Sequence, residues 1–181
     1  MKKNLHLIIL LLICSFSNSY AQESKEKLLS NADQFSAKAG TLIEKQFINI
    51  GIVKGVEVEV LKLKDLNDGL TKSALRLKYD VKSSYSNDTK IASLDSDEIE
   101  GLIKSIKNLQ NNVFTSTREI YTEVTFKSRT GFEAGAYYEP TKSKWSAYIQ
   151  ISKYDSKSLV FLNVDDFASL LSLIEQAKTK L

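Results

Sequence analysis

The sequence predicts an α+β fold built as a tandem β4α repeat: two four-stranded antiparallel meanders, each followed by a helix, with a short helix ahead of them. Three observations carry that prediction. Long stretches alternate apolar and polar residues with a period of two, turn signals divide these stretches into two groups of four, and each group ends in an amphipathic segment of helical period. The two helical segments also align at a constant spacing of 68 residues. Leu94, Asp97, Glu98, Ile99, Leu102, Ile103 and Ile106 fall on Leu162, Asp165, Asp166, Phe167, Leu170, Leu171 and Ile174. Amphipathicity alone would produce some of these matches, but not the shared acidic pair or the same order of elements before each helix.

The chain starts with an address. Met1-Lys2-Lys3 is a short positive region, Leu5 to Ile13 is almost wholly apolar, and Ser19-Tyr20-Ala21 is a small-x-small cleavage site. That is the layout of a secretory signal peptide over residues 1–21, too short in its apolar run to span a bilayer. Leu11-Leu12-Ile13-Cys14 is similar to a lipobox, yet Ile13 stands where that motif takes a small residue, which argues against lipid attachment at Cys14. Within 22–40, Leu28, Ala32, Phe35 and Ala39 recur at helical steps before Gly40, predicting a short N-terminal helix.

Residues 41–181 then form one α+β domain of two repeats, about 41–112 and 113–181. In the first, Thr41 to Ile50 and Val56 to Val60 read as strands around Gly51–Gly55, and Asn67-Asp68-Gly69 signals a hairpin. Leu75, Leu77, Tyr79 and Val81 alternate with Arg76, Lys78 and Asp80, and Thr89 to Leu94 completes the four. Asp95 with Glu98 three residues on makes a capping box for the helix. In the second repeat, Glu119 to Ser128 alternates, Arg129-Thr130-Gly131 turns into Phe132 to Glu139, and Pro140 to Ser143 turns again. Trp145 to Ser152 and Ser158 to Asn163 follow, and the last helix starts at Val164. One apolar face per meander is more than one helix covers, so the two copies are expected to pack together or to share their sheets.

Composition narrows the chemistry. Removing residues 1–21 takes away Met1, His6 and Cys14, each the sole residue of its type, and leaves 160 residues with 23 basic and 22 acidic side chains. A mature chain without His or Cys has no Ser-His-Asp triad, no Cys-His pair and no zinc site of ordinary composition. No cofactor motif is present, and neither cofactor nor metal is expected. The 22 lysines against 3 arginines suit a bacterial source with AT-rich coding. Localisation is therefore expected beyond the inner membrane, periplasmic or secreted, with no membrane span.

The tandem β4α order resembles the whirly and PUR-repeat folds, in topology only, over roughly residues 41 to 180. That resemblance implies binding of single-stranded nucleic acid. The residues argue against it, because such binding needs a positive groove lined by stacking aromatics, whereas the mature charge is near zero and lysines alternate with acids. Acidic residues at the helix starts, Asp95, Asp97, Glu98, Asp165 and Asp166, are explained by capping and the helix dipole.

A more informative pattern lies in the second repeat. With Ile120, Val124, Phe132, Ala134, Trp145 and Ile149 facing the core, strict alternation puts Tyr121, Tyr137 and Tyr148 on the opposite face with Glu123 and Gln150. The equivalent face of the first repeat is charged, through Glu57, Glu59, Arg76 and Lys78. A tyrosine-bearing sheet face suits a protein, peptide or carbohydrate partner. The leading expectation is a non-catalytic binding or interaction module acting through these residues. A single-stranded nucleic-acid binder is the alternative, and a carboxylate hydrolase using Glu123, Glu133 or Glu139 is a second one. Exposed strand edges are compatible with a homodimer.

Overall fold

Alternating hydrophobicity and turn chemistry are realised as two separate antiparallel sheets in a computed structural model that describes residues 29–82 and 87–181. The expected signal peptide, Cys14 and the start of the expected N-terminal helix lie outside the described residues. A helix α1 occupies Asn31–Ser36, started by Ser30, whose hydroxyl accepts the Asp33 N–H at 2.9 Å. The first sheet follows in the order β1 (Ile43–Val53), β2 (Val56–Asp65), β3 (Thr71–Lys82) and β4 (Asn87–Leu94). Its first strand therefore runs through Gly51 to Val53, and the turn is the Lys54-Gly55 pair.

Helix α2 (Ser96–Asn108) begins at the predicted capping box of Asp95 and Glu98 and runs into a π-type turn over Leu109–Val113. The second sheet is β5 (Thr122–Lys127), β6 (Glu133–Glu139), β7 (Lys144–Gln150) and β8 (Leu159–Leu162), followed by helix α3 (Val164–Lys178). Asn163 and Asp166 cap α3 reciprocally, so the 68-residue spacing extends to the N-caps Asp95 and Asn163. The tandem β4α layout is thus present, and the two copies pack together without sharing a sheet.

Packing departs from a simple duplication. α3 lies against β1, β2 and β3 of the first sheet while touching its own sheet at β8, and α2 reaches β5 and β6 as well as β3. One contiguous core results, holding Val56, Val58, Val60, Leu75 and Leu77 from the first sheet with Phe132, Ala134, Ile149 and Ile151 from the second. Ile99, Leu102, Ile106, Phe167, Leu170 and Ile174 of the helices fill the space between. Side chains of that size each contribute about 1.5–3 kcal/mol on full burial. Gly51 shows how closely the crossing helix approaches: a Cβ there would sit 2.6 Å from Leu173 Cδ2.

A polar hub joins the three parts. The Asp95 carboxylate accepts the backbone N–H groups of Asn31 at 2.7 Å and Ala32 at 3.1 Å, and the Arg129 guanidinium at 2.5 Å. Arg129 comes from the β5–β6 turn; its second arm donates to Asp97 at 2.7 Å and its backbone N–H to Glu98 at 2.6 Å. The carboxylate oxygens of Asp95, Asp97 and Glu98 lie within 4.8 Å of one another, and the cation they hold is this arginine. No helix among the described residues is long and apolar enough to cross a membrane.

Candidate functional site

The two sheets turn their second faces away from the shared core, and these faces are built differently. On the first sheet, α1 sits over one end, where Ala32 packs with Leu61, Leu63 and Ala74 beside Phe35 and Ile43. Beyond it, the strand register sets charges opposite each other: Glu59 pairs with Arg76 and Glu57 with Lys78 at 3.1 Å. Arg76 also stacks over the Phe47 ring at 4.9 Å. Much of this face is thus covered or internally paired, although Phe47, Ile52 and Ile91 remain exposed on it.

The second sheet carries aromatics in the same place. Alternation along β5, β6 and β7 puts Ala134, Ala136, Ala147 and Ile149 in the core and turns Glu123, Tyr137, Tyr148 and Gln150 outward. Tyr121, one residue before β5, lies beside Tyr137 with ring centres 6.2 Å apart and planes tilted by 33°. Its hydroxyl donates to Glu123 at 2.5 Å. Because the neutral phenol is the donor, the carboxylate opposes loss of its proton, and with burial and the Glu123 charge adding to that, the phenol is pushed up to about 12.

Tyr148 is held by a hydrogen bond across the sheet. The register runs Thr125, Gly135, Tyr148, Phe161 across all four strands, and the Tyr148 hydroxyl meets Thr125 Oγ1 at 3.0 Å, two strands away. Between the two lies Gly135, where a Cβ would fall 2.4 Å from the Val124 carbonyl oxygen and 3.1 Å from Thr125 Oγ1, so no larger residue fits there unless the neighbouring strand shifts. Gln150 is fixed at the margin by donating to the Asp155 carbonyl at 3.2 Å. All five residues singled out in the sequence therefore lie on one face.

Two parts of the sequence reading change. Ile120 does not face the core: β5 starts at Thr122, the alternation does not extend back to Ile120, and this side chain is 74 % exposed. Phe161, not singled out above, adds a fourth ring beside Tyr148 and is 57 % exposed. Its signal was the alternation of Val160 and Leu162 into the core, which leaves Phe161 outward.

Two lysines here are paired: Lys127 with Glu133 at 2.9 Å and Lys142 with Glu139 at 2.6 Å, and each lysine is pushed up by its glutamate. Glu123, Glu133 and Glu139 thus each have a different partner, and no two of them are brought together by a shared contact. The arrangement offers apolar ring surface with polar tips. No family model, curated protein or solved structure matches this chain, so the expected likeness to whirly and PUR repeats has no match behind it and assigns no residue a role.

Proposed function

We propose that this protein is a non-catalytic binding module, exported through the signal sequence at residues 1–21, that engages a peptide, protein or carbohydrate through the outer face of its second sheet. One observation supports this above the others: Tyr121, Tyr137, Tyr148 and Phe161 share the outward face of the second sheet, two of them exposed and two half-buried, whereas α1 and paired charges take up much of the matching face of the first sheet. Rings whose tips are held by hydrogen bonds lose little freedom on binding, which favours recognition.

Nucleic acid fits this face less well. Lys127 and Lys142 are each paired with a glutamate, and Arg118 and Lys144 at the margin are too few to follow a phosphate backbone. The combined substitution Tyr121→Ser, Tyr137→Ser and Tyr148→Ser tests the reading. Folding, followed by circular dichroism and thermal melting, is expected to stay intact, while spots labelled by the native protein on peptide and glycan arrays are lost. Unfolding of the variant, unchanged labelling, or a native protein that labels no spot overturns it.

A further inference from the structure

We infer that the groove at the β7–β8 edge of the second sheet takes an extended acidic peptide laid alongside β7. This rests on the reading of that sheet as the binding surface and narrows the partner to one class.

Unequal strand lengths make the groove. β8 pairs only with Ala147–Gln150, so Lys144, Trp145 and Ser146 have no strand beside them on that side. The Ile151 N–H donates to the Ser158 carbonyl at 3.2 Å, which sets the phase of the ladder: Ile151, Ile149 and Ala147 direct their backbone groups toward β8. Two residues further back, Trp145 directs its N–H and carbonyl to the same side, where β8 has ended. An open strand edge is a template for another chain.

The side chains around this edge add selectivity. A cleft of about 570 Å³ is walled by Phe114, Tyr138, Lys144, Trp145, Phe161 and Val164, with no carboxylate in its lining. Trp145 is fixed by donating its indole N–H to the Ser116 carbonyl at 2.7 Å, and the Arg118 guanidinium stacks 5.4 Å from the Trp145 ring centre. Arg76 and Arg129 are held in ion pairs. Arg118 binds only the neighbouring Thr117 carbonyl, and among the described residues neither it nor Lys144 has an acidic partner.

Apolar walls flanking a free strand edge accept alternate side chains of an extended segment, and two uncompensated cations select acidic ones. A sugar could use the rings but would have no use for the strand edge. Phe161 borders both the cleft and the tyrosine face, so a peptide seated here continues onto it.

Trp145 is the sole tryptophan in the chain, so its fluorescence reports on this groove directly. The probe is a short fluorescein-labelled peptide alternating valine and glutamate, compared with a valine–lysine peptide and with an N-methylated copy that cannot pair with a strand. The acidic peptide is expected to raise anisotropy and change Trp145 emission, with both controls binding weakly. Arg118→Glu is expected to weaken it about tenfold, as reversal of one partly exposed charge does. Equal binding of the N-methylated copy, or an unchanged affinity in Arg118→Glu, overturns the inference. The triple tyrosine variant separates the two proposals. If it binds the probe normally while Arg118→Glu does not, the groove stands and the tyrosine face fails. If it loses the probe while Arg118→Glu keeps it, the tyrosine face stands and the groove fails.

Discussion

The two sheets come from one β4α programme but end up with different exteriors. Strands of 11, 10, 12 and 8 residues in the first sheet give room for α1 and for rows of opposed charge. Strands of 6, 7, 7 and 4 in the second leave a narrow aromatic face and an edge that β8 does not cover. Their inner faces, by contrast, are equivalent: both are apolar and both meet the same two helices. A repeat therefore constrains the surface that must be buried and leaves the opposite one free to diverge, which is where a binding function has room to arise.

The strongest way to break this comparison is through the shared core. Phe167 is fully buried and meets Phe114 edge-on at 5.9 Å. Phe167→Ala should cost about 3–5 kcal/mol, the range for losing a buried ring. Because α3 spans the sheets, urea unfolding followed by far-ultraviolet dichroism and by Trp145 emission should give one coincident transition at a lower midpoint. Separate transitions would show that the repeats are energetically independent.

A smaller effect should make the outer faces alike. Asp95→Ala leaves the Asn31 and Ala32 N–H groups and the start of α2 without their acceptor, at a cost of about 2–3 kcal/mol. Release of α1 would uncover Leu61, Leu63 and Ala74, read as new binding of a hydrophobic dye and faster proteolysis within residues 29–40. Asp95→Asn keeps one acceptor oxygen and should cost less. If α1 stays protected in both variants, its apolar contacts alone hold it.

The smallest effect sharpens the aromatic side. Tyr121 holds its proton up to about 12 against an ordinary 10.0, so the folded state binds this proton more tightly than the unfolded chain. Its contribution to stability is complete below pH 10 and fades as pH rises toward 12. In a phenolate absorbance titration, Glu123→Gln should bring this step back toward the ordinary value, and Tyr121→Phe should remove it. A titration unchanged by Glu123→Gln would place the cause elsewhere.

Much of this architecture is legible from local pattern. The spacing of 68, the capping residues, the β4α order and the outward set Tyr121, Glu123, Tyr137, Tyr148 and Gln150 all follow from periodicity and turn chemistry, which act over a few residues. What escaped is long-range. Nothing near Leu173 says that it will lie on Gly51, and Arg129 reads as a turn residue until the fold brings it to Asp95 and Glu98, more than 30 positions earlier. Gly135 reads as an ordinary strand glycine, and what requires it is the Val124 carbonyl of the neighbouring strand, 2.4 Å from where its Cβ would be. Ile120 misled because hydrophobicity alone does not say where a strand starts.

Helix α3 follows all eight strands, and the first sheet depends on it for part of its cover. A polypeptide still emerging, or cut short before Val164, has β1, β2 and β3 in hand but presents Val56, Val58 and Val60 to water for want of Phe167, Leu170 and Ile174. Closure thus waits on contacts between residues more than a hundred positions apart, the kind of long-range topology that slows folding.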